Sequence, residues 1–536
     1  MAEPISSNLI GLNKVCAVDF HVSLAGRGDL AARIYRQLVD AILDGRLRAG
    51  ERLPPTRELA RRLEVSRNTV ALAYERLSSE GFLEGRAGAG TFVTARPMPI
   101  RTATAGSPAT GRSGRPREDR SEGDGGAGPR RLWREIPVPL RSEEAPEPTY
   151  DFRLGAPDPE LFPLATWRRL VARELRPSAI RAGTYGDPSG HAGLRAAIIR
   201  YVGISRSVRA EPDDVLVTQG AQQALDLIGR VLIEPGDHVA VEEPGYPPAR
   251  LLFRSLGARV TGVPVDSEGL DVAAIPPAVR LVYVTPSHQF PLGAPMSLER
   301  RTALLAWARR RGGTVIEDDY DSEFRFGGRP LEPLQSLDHD GRVIYVGSFS
   351  KTLLPMLRVG FLIAPASLRA ALRSAKRLTD WHGDVITQAA LARFIDEGLL
   401  GRQIRKATRE YAARRELIIT TLLRDFAGLF RPVPSAAGLH LCARLVPGSG
   451  PERVTEGAAG RADQSAGTGV GTSADIDVDI DAALARARAA GVAVESLATY
   501  YGEAPAQQGL VLGYGRIQTE RIEEGLRRLA ASFRPS

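Results

Sequence analysis

The sequence predicts a multidomain chain: a small α+β head that reads as a winged helix-turn-helix, then a large α/β domain with a mainly parallel central sheet. Three observations carry that reading. Two short helical patterns joined by a tight turn lead into a glycine-tipped hairpin before residue 95. A stretch rich in Pro, Gly, Ser, Thr and Arg follows, too poor in apolar residues to offset its own ordering entropy. From Tyr150 onward, short continuous apolar runs alternate with amphipathic helical stretches, as buried parallel strands and their covering helices do.

The totals agree with more than one core. A chain of 536 residues exceeds one ordinary domain, and 43% hydrophobic with 25% charged residues is the balance of a soluble globular protein. No run of about 18 uncharged apolar residues exists, so no membrane span is expected. Residues Met1 to Leu24 lack the basic start and apolar core of a secretory leader. Cys16 and Cys442 cannot build a disulfide framework or a zinc site, and a reducing cytoplasm is expected. The net charge of +8 permits nucleic-acid binding without requiring it.

In the head, apolar residues at 30, 34, 38, 41 and 42 predict a helix over Leu30 to Leu43, with Gly45 closing it. Pro54-Pro55-Thr56 marks a stop, with Thr56 capping a short helix from Arg57 to Leu63. Glu64-Val65 turns the chain, and Ser66 caps a third helix, Arg67 to Ser79, whose apolar face runs through Val70, Ala73, Tyr74 and Leu77. Phe82 to Val93 reads as a hairpin with a Gly88-Ala89-Gly90 tip. In a winged helix-turn-helix the second helix of the turn enters the major groove with its first residues at base edges. Ser66, Arg67, Asn68 and Thr69 sit there, Arg57 opens the helix before, and Arg86 lies on the wing. A solvated basic face of a protein-binding module is the plainer alternative. The window resembles the GntR-type regulators through Leu53-Pro54-Pro55-Thr56-Arg57-Glu58-Leu59-Ala60, Val65-Ser66-Arg67-Asn68-Thr69-Val70, Tyr74-Glu75-Arg76-Leu77 and Gly88-Ala89-Gly90-Thr91-Phe92-Val93. That resemblance implies DNA contacts from Arg57, Ser66, Arg67, Asn68, Thr69, Arg86 and Gly88.

The domain bounds expected are 24–95 for the DNA-binding head, 96–148 for a flexible linker with a docked patch near Trp133, and 149–536 for an effector domain. Strands are expected at Val215–Thr218, His238–Val241, Leu281–Val284, Thr314–Glu317 and Val343–Val346, with helices such as Ala221–Leu232 and Leu298–Arg310 between them. Ligands in such sheets sit outside the carboxyl ends of the strands, which directs attention to the polar residues there.

Lys351, just beyond the strand Val343 to Val346, is one of only four lysines among 71 basic residues, with Lys14, Lys376 and Lys406. Arginine keeps its proton in proteins, whereas a desolvated lysine can lose it and attack a carbonyl carbon. The plainer alternative is a lysine snorkelling at a strand end. The other strand ends complement one cofactor. Pyridoxal phosphate needs a lysine for its aldehyde, a carboxylate for the pyridinium nitrogen, a donor for the phenolate oxygen, an aromatic face and an anion cup. Lys351, Asp318, Tyr320 and Tyr246 fill the first four needs. Gly220, Ala221, Gln222, Ser348, Ser350 and Arg358 fill the last, at a strand–turn–helix start suited to anions. His288, in the polar loop Thr285 to Gly293, joins these candidates. The carboxylates around Tyr320, from Glu317 to Glu323, read as a solvated acidic turn or, less readily, a divalent-cation site; no metal is expected.

Residues 150–536 resemble a fold-type-I aminotransferase domain through Thr184-Tyr185-Gly186-Asp187-Pro188-Ser189-Gly190-His191, Gln219-Gly220-Ala221-Gln222-Gln223-Ala224-Leu225, Glu243-Pro244-Gly245-Tyr246-Pro247, Glu317-Asp318-Asp319-Tyr320 and Ser348-Phe349-Ser350-Lys351. A GntR-like head linked to such a domain is the layout of the MocR subfamily of transcription regulators. The resemblance implies a cytoplasmic regulator of double-stranded DNA that holds pyridoxal phosphate as an internal aldimine on Lys351. It further implies a domain-swapped homodimer and an effector that is an amine, an amino acid or the cofactor itself. Two features depart from the pattern. Val511 stands where enzymes of this fold carry a substrate-carboxylate arginine, leaving Arg516 as a loose substitute, and residues 448–473 form a Gly/Ala/Ser-rich insertion expected to be disordered. The acidic alternation after it, Asp475 to Asp481, reads as a helix start. A working aminotransferase with an appended head is the alternative; the expectation is a regulator with at most weak transaminase activity.

Overall fold

The computed structural model describes residues 29–94, 128–136, 147–177, 183–327, 332–426, 428–446, 479–503 and 506–534. The insertion at 448–473 lies outside them, as does the expected linker except for 128–136 and 147–148. The chain falls into two compact units that divide at Asp124 and Gly125.

The first unit contains helices α1 (Leu30–Leu43), α2 (Thr56–Arg62) and α3 (Arg67–Ser79), then strands β1 (Leu83–Arg86) and β2 (Gly90–Val93). The strands pair antiparallel, Leu83 opposite Val93 and Arg86 opposite Gly90. Ile34, Leu38, Ile42, Leu59, Val70, Leu77, Leu83 and Val93 form one buried cluster, so every element contributes a side to the core. Ser66 caps α3, its Oγ accepting the Thr69 amide at 3.1 Å. The expected cap of α2 is corrected: Thr56 is its first helical residue, and Pro55 holds the cap position without a side-chain hydrogen bond. Proline suits that place because the missing N–H would have had no helical partner.

The second unit is built on an eight-stranded sheet in the order Val215–Thr218, Gly360–Ile363, Val343–Ser348, Thr314–Asp319, Val279–Val284, His238–Glu243, Arg259–Asp266, Gly269–Leu270. Five consecutive strands of that order, from Val343–Ser348 through Arg259–Asp266, run parallel. Gly360–Ile363 runs antiparallel to both its neighbours. Each of the five strands expected from sequence forms, and those at 238, 314 and 343 run two residues further, to Glu243, Asp319 and Ser348. Both faces are covered. Ile198, Val217, Tyr345 and Phe361 pack in a cluster on one side, and Leu225, Ile228, Tyr283, Ile316 and Leu362 in another. Burial on both faces explains why these strands read as continuous apolar runs.

A smaller antiparallel sheet follows, ordered Phe430–Pro432, His440–Leu445, Gly509–Gly513, Glu495–Ser496. The 27-residue helix Leu399–Asp425 joins the two cores: Leu400 belongs to the large-sheet cluster, and Tyr411, Ile418 and Leu422 to the C-terminal one. Of the expected acidic helix start, Asp475 and Asp477 lie outside the described residues, whereas Asp479 caps the helix Ile480–Ala489, its Oδ1 accepting the Ala482 amide at 2.9 Å, and Asp481 lies in the first turn. Among the described residues, no helix is long and apolar enough to cross a membrane.

Replacing Ser66 by Ala removes the cap of α3 and should lower the stability of the head by about 1 kcal/mol. The check is the urea midpoint of the head's unfolding transition; an unchanged midpoint contradicts the capping role.

Candidate functional site

Parallel strands deliver their carboxyl ends to one edge of the sheet, and that edge carries Gly220, Tyr246, His288, Tyr320 and Lys351 in the segments that leave the strands. Lys351 is half-buried, and its Nζ donates to the main-chain oxygen of Gly155. Burial pushes its proton affinity down, opposed by the negative charges of Asp321 and Asp318. Among the described residues it makes no ion pair. Lys376, which is fully buried, is paired with Asp380. A lysine near carboxylates yet bonded to a carbonyl keeps its amine free for chemistry.

Asp318 is 4% exposed. Tyr283 donates its hydroxyl to Oδ2 at 2.8 Å, while Oδ1 is buried with no partner. Burial, opposed by the Tyr283 hydrogen bond, raises the carboxyl to about 7. An orphaned carboxylate oxygen inside a protein costs free energy unless a donor faces it. A protonated ring nitrogen is such a donor, so Asp318 fits the pyridinium of pyridoxal phosphate. The anion cup fits as well. Arg358 Nη2 donates to the Gln219 main-chain oxygen at 2.7 Å, and a Cβ on Gly220 would come within 2.9 Å of that guanidinium. Gly220 has φ +84 and opens the helix Ala221–Leu232, so Ala221 and Gln222 contribute first-turn N–H groups beside Arg358. Ser348 Oγ accepts the Ser350 amide at 3.1 Å and is buried beside Lys351 in the chain.

Tyr320 donates its hydroxyl to the His288 main-chain oxygen at 2.9 Å and lies 3.1 Å from His288 Nδ1. That Nδ1 is 2.9 Å from Asp321 Oδ1, and the His288 and His440 rings stand 4.6 Å apart. Burial, then the His288 neighbour, holds His440 down to about 3, so it is a neutral imidazole at ordinary pH. A Cβ on Gly438, at φ +89, would overlap the His288 ring, which explains glycine there. Tyr246 is set edge-on to Phe290 at 5.5 Å, and burial raises its hydroxyl to about 12.

Two expectations are corrected. The carboxylates around Tyr320 are not a solvated turn: Glu317, Asp318, Asp319 and Asp321 are all buried, each held by a specific donor. Arg516 is exposed, with its Nη1 paired to Asp151 at 3.4 Å, and no contact brings it to Lys351. Val511 is fully buried in an apolar cluster with Leu292, Cys442, Leu497 and Tyr500. Sequence reading also passed over Tyr283, Gly155 and His440. Tyr283 alone left a signal, as a tyrosine inside an otherwise aliphatic strand.

On the head, Arg57, Ser66, Arg67 and Asn68 are exposed at or near the starts of α2 and α3, and Arg57 and Arg67 form no ion pair among the described residues. Thr69 is half-buried, its hydroxyl 2.7 Å from Ser66 Oγ, so these two share the cap. Arg86 is tied to Glu84 and stacks over Phe92 at 4.7 Å, and Gly88 turns the hairpin at φ +74.

Residues 30–93 match the family described as bacterial regulatory proteins, gntR family, and residues 153–447 match aminotransferase class I and II, a pyridoxal-phosphate-dependent family. The chain is similar to the "Probable rhizopine catabolism regulatory protein MocR" of Rhizobium meliloti, 36% identical over 94% of this chain and 93% of that protein. It is also similar to the HTH-type transcriptional regulator TauR of Rhodobacter capsulatus, 36% identical over 76% of this chain and 82% of that one. Among solved structures, the α-aminoadipate aminotransferase LysN of Thermus thermophilus, complexed with N-(5'-phosphopyridoxyl)-L-leucine, matches with TM-score 0.61 and 30% identity over 72% of this chain and 91% of that one.

The raised carboxyl of Asp318 makes a pH prediction. Its ordinary value is 3.8 and its folded value about 7, so in that window the folded protein keeps a proton the unfolded chain has lost. Cofactor-free stability therefore falls as pH rises through the window. Asp318→Asn should match the wild type at about pH 4 and exceed it by on the order of 3 kcal/mol at about pH 8, read from chemical denaturation without cofactor. A difference independent of pH contradicts the assignment.

Proposed function

The chain belongs to the MocR-type regulators, a gntR-family head joined to an aminotransferase-like domain, and on that premise we propose that it senses an amine, an amino acid or pyridoxal phosphate itself at Lys351 and changes its grip on operator DNA in response. The observation that carries this reading is the partnerless Oδ1 of Asp318 close to an amine that has no carboxylate of its own.

Pyridoxal phosphate supplies a carbonyl carbon open to amines and a ring that draws in electrons. Lys351 would hold that carbon, since burial favours its unprotonated, nucleophilic form. Asp318 would keep the proton on the ring nitrogen. Tyr320 would turn its one hydroxyl proton from the His288 main-chain oxygen to the phenolate oxygen, beside a His288 ring that Asp321 holds, and Tyr246 would cover a ring face. Arg358, the N–H groups after Gly220, and the Ser348 and Ser350 hydroxyls would take the phosphate.

An effector moves the DNA equilibrium only if it binds two arrangements of the protein with different affinity. Filling the Lys351 pocket, or exchanging the lysine for an incoming amine there, offers such a difference. Arg57, Ser66, Arg67, Asn68 and Thr69 would meet DNA from the starts of α2 and α3, with Arg86 and Gly88 on the wing. The subfamily layout supports a homodimer in which each head reaches over its partner. It also supports bounds of 24–95 for the head, 96–148 for a linker and 149–536 for the effector domain. A regulator of DNA works where DNA is, so we place it in the cytoplasm. The apolar packing of Val511 favours sensing over turnover, because it leaves a substrate carboxylate without the arginine expected there.

Borohydride should fix pyridoxal phosphate on the wild type and on a variant of the exposed Lys406→Ala, but not on Lys351→Ala; equal labelling of all three by mass spectrometry overturns the anchor. Arg67→Ala should weaken binding to selected operator duplexes by about 1–3 kcal/mol, relaxing specificity at one position. Unchanged affinity in gel-shift titration contradicts the groove docking.

A further inference from the structure

A second cavity lies behind the strand that carries Asp318. Side chains alternate along a strand, so Asp318 and Asp319 leave Thr314–Asp319 on opposite faces. Asp319 Oδ2 is held by Arg206 Nε at 2.8 Å and the Tyr345 hydroxyl at 2.6 Å. Arg206 also donates to Ser287 Oγ at 2.6 Å. Arg206 ends the helix Ala192–Arg206. Beyond it a cleft of about 550 Å³ opens between that helix, the segment Ser322 to Arg325, and the first turns of Leu399–Asp425.

The cleft is lined by apolar side chains and by both acidic and basic ones. Ile204, 89% exposed, lines it together with Ile395, Leu400 and Ile404. Ser322 Oγ and Glu323 Oε2 are buried with no hydrogen-bond partner, while the other Glu323 oxygen accepts from Tyr201 at 3.1 Å. Arg200 is neutralised by Asp396 at 2.6 Å, and Arg206 by Asp319. Arg405 forms no ion pair among the described residues and lines the same cleft. Orphaned buried acceptors call for a multiple donor such as an ammonium, and a free guanidinium calls for a carboxylate.

We propose that this cleft is a second small-molecule site, separate from the Lys351 pocket, that takes an α-amino acid with an apolar side chain. The ammonium meets Glu323 and Ser322, the carboxylate meets Arg405, and the side chain lies along Ile204, Leu400 and Ile404. The volume suits a ligand of that size. Burial raises Glu323 to about 7, and an ammonium beside it would restore the carboxylate. The site is placed to report on the first one. Arg206, in its wall, holds Asp319 and Ser287, the chain neighbours of Asp318 and His288. Leu400 and Ile404 begin the helix that joins the two cores.

The test is equilibrium dialysis of radiolabelled L-leucine and L-phenylalanine against full-length Lys351→Ala protein stripped of pyridoxal phosphate, so that no aldehyde is present to condense with the amino acid. One saturable site per chain is expected for at least one of the two. Adding Glu323→Gln or the exposed Arg405→Ala should weaken it by about tenfold each, as expected for loss of a charge-assisted hydrogen bond. No saturable binding overturns the site. Affinity unchanged by both substitutions overturns its location, and weakening by only one overturns recognition at two ends.

Discussion

Everything in the larger unit depends on how a parallel sheet treats charge at its carboxyl edge. Strands buried on both faces must be apolar along their length, so polar side chains gather where the chain leaves them. Here that rule produces Asp318, taken out of water with one oxygen satisfied by Tyr283 and the other left open. Such a group is a cost the fold carries until a cationic donor arrives. Lys351, whose amine rests on a carbonyl instead of a carboxylate, stands beside it in a matching state. The two are complementary to a cofactor with an aldehyde and a basic ring nitrogen, and neither is satisfied by the protein alone.

The same strand has a second face. Asp319 Oδ2 is held by Arg206 and Tyr345, and through Arg206 is tied to the loop carrying His288, while its Oδ1 is buried without a partner. Adjacent residues thus place one carboxylate, held at one oxygen by Tyr283, toward the cofactor pocket and another, held at one oxygen by Arg206 and Tyr345, toward the neighbouring cleft. A change on one side of Thr314–Asp319 is close to the other, so the two proposed sites would act on one strand. The head is a separate compact unit with its own core, and its exposed, unpaired Arg57 and Arg67 are suited to phosphates and base edges.

Much of this was legible in the sequence. The continuous apolar runs gave the five strands because double-sided burial leaves no alternation to misread. Ser66 gave the start of α3 because capping chemistry is local. Lys351, Asp318 and Tyr320 were legible because each stands at or just beyond the carboxyl end of a strand. What stayed hidden depends on distant pairing. Gly360–Ile363, running antiparallel between two strands that share a direction, has no local signature. Tyr283 looks like core until Asp318 is seen beside it, and His440 reaches His288 only through the second sheet. The acidic run after Ile316 misled for the same reason: Glu317, Asp318, Asp319 and Asp321 read as solvated until Arg206, Tyr283, Tyr345, His288 and main-chain donors are found around them.

The central claim is that filling the Lys351 pocket alters the grip of the head on DNA. Duplexes selected from a random pool by the full-length protein can be titrated at one salt concentration with pyridoxal phosphate saturating and absent. The expected result is a change in operator affinity of about fivefold or more for the wild type, abolished in Lys351→Ala. Equal affinity of the wild type under both conditions would contradict the account.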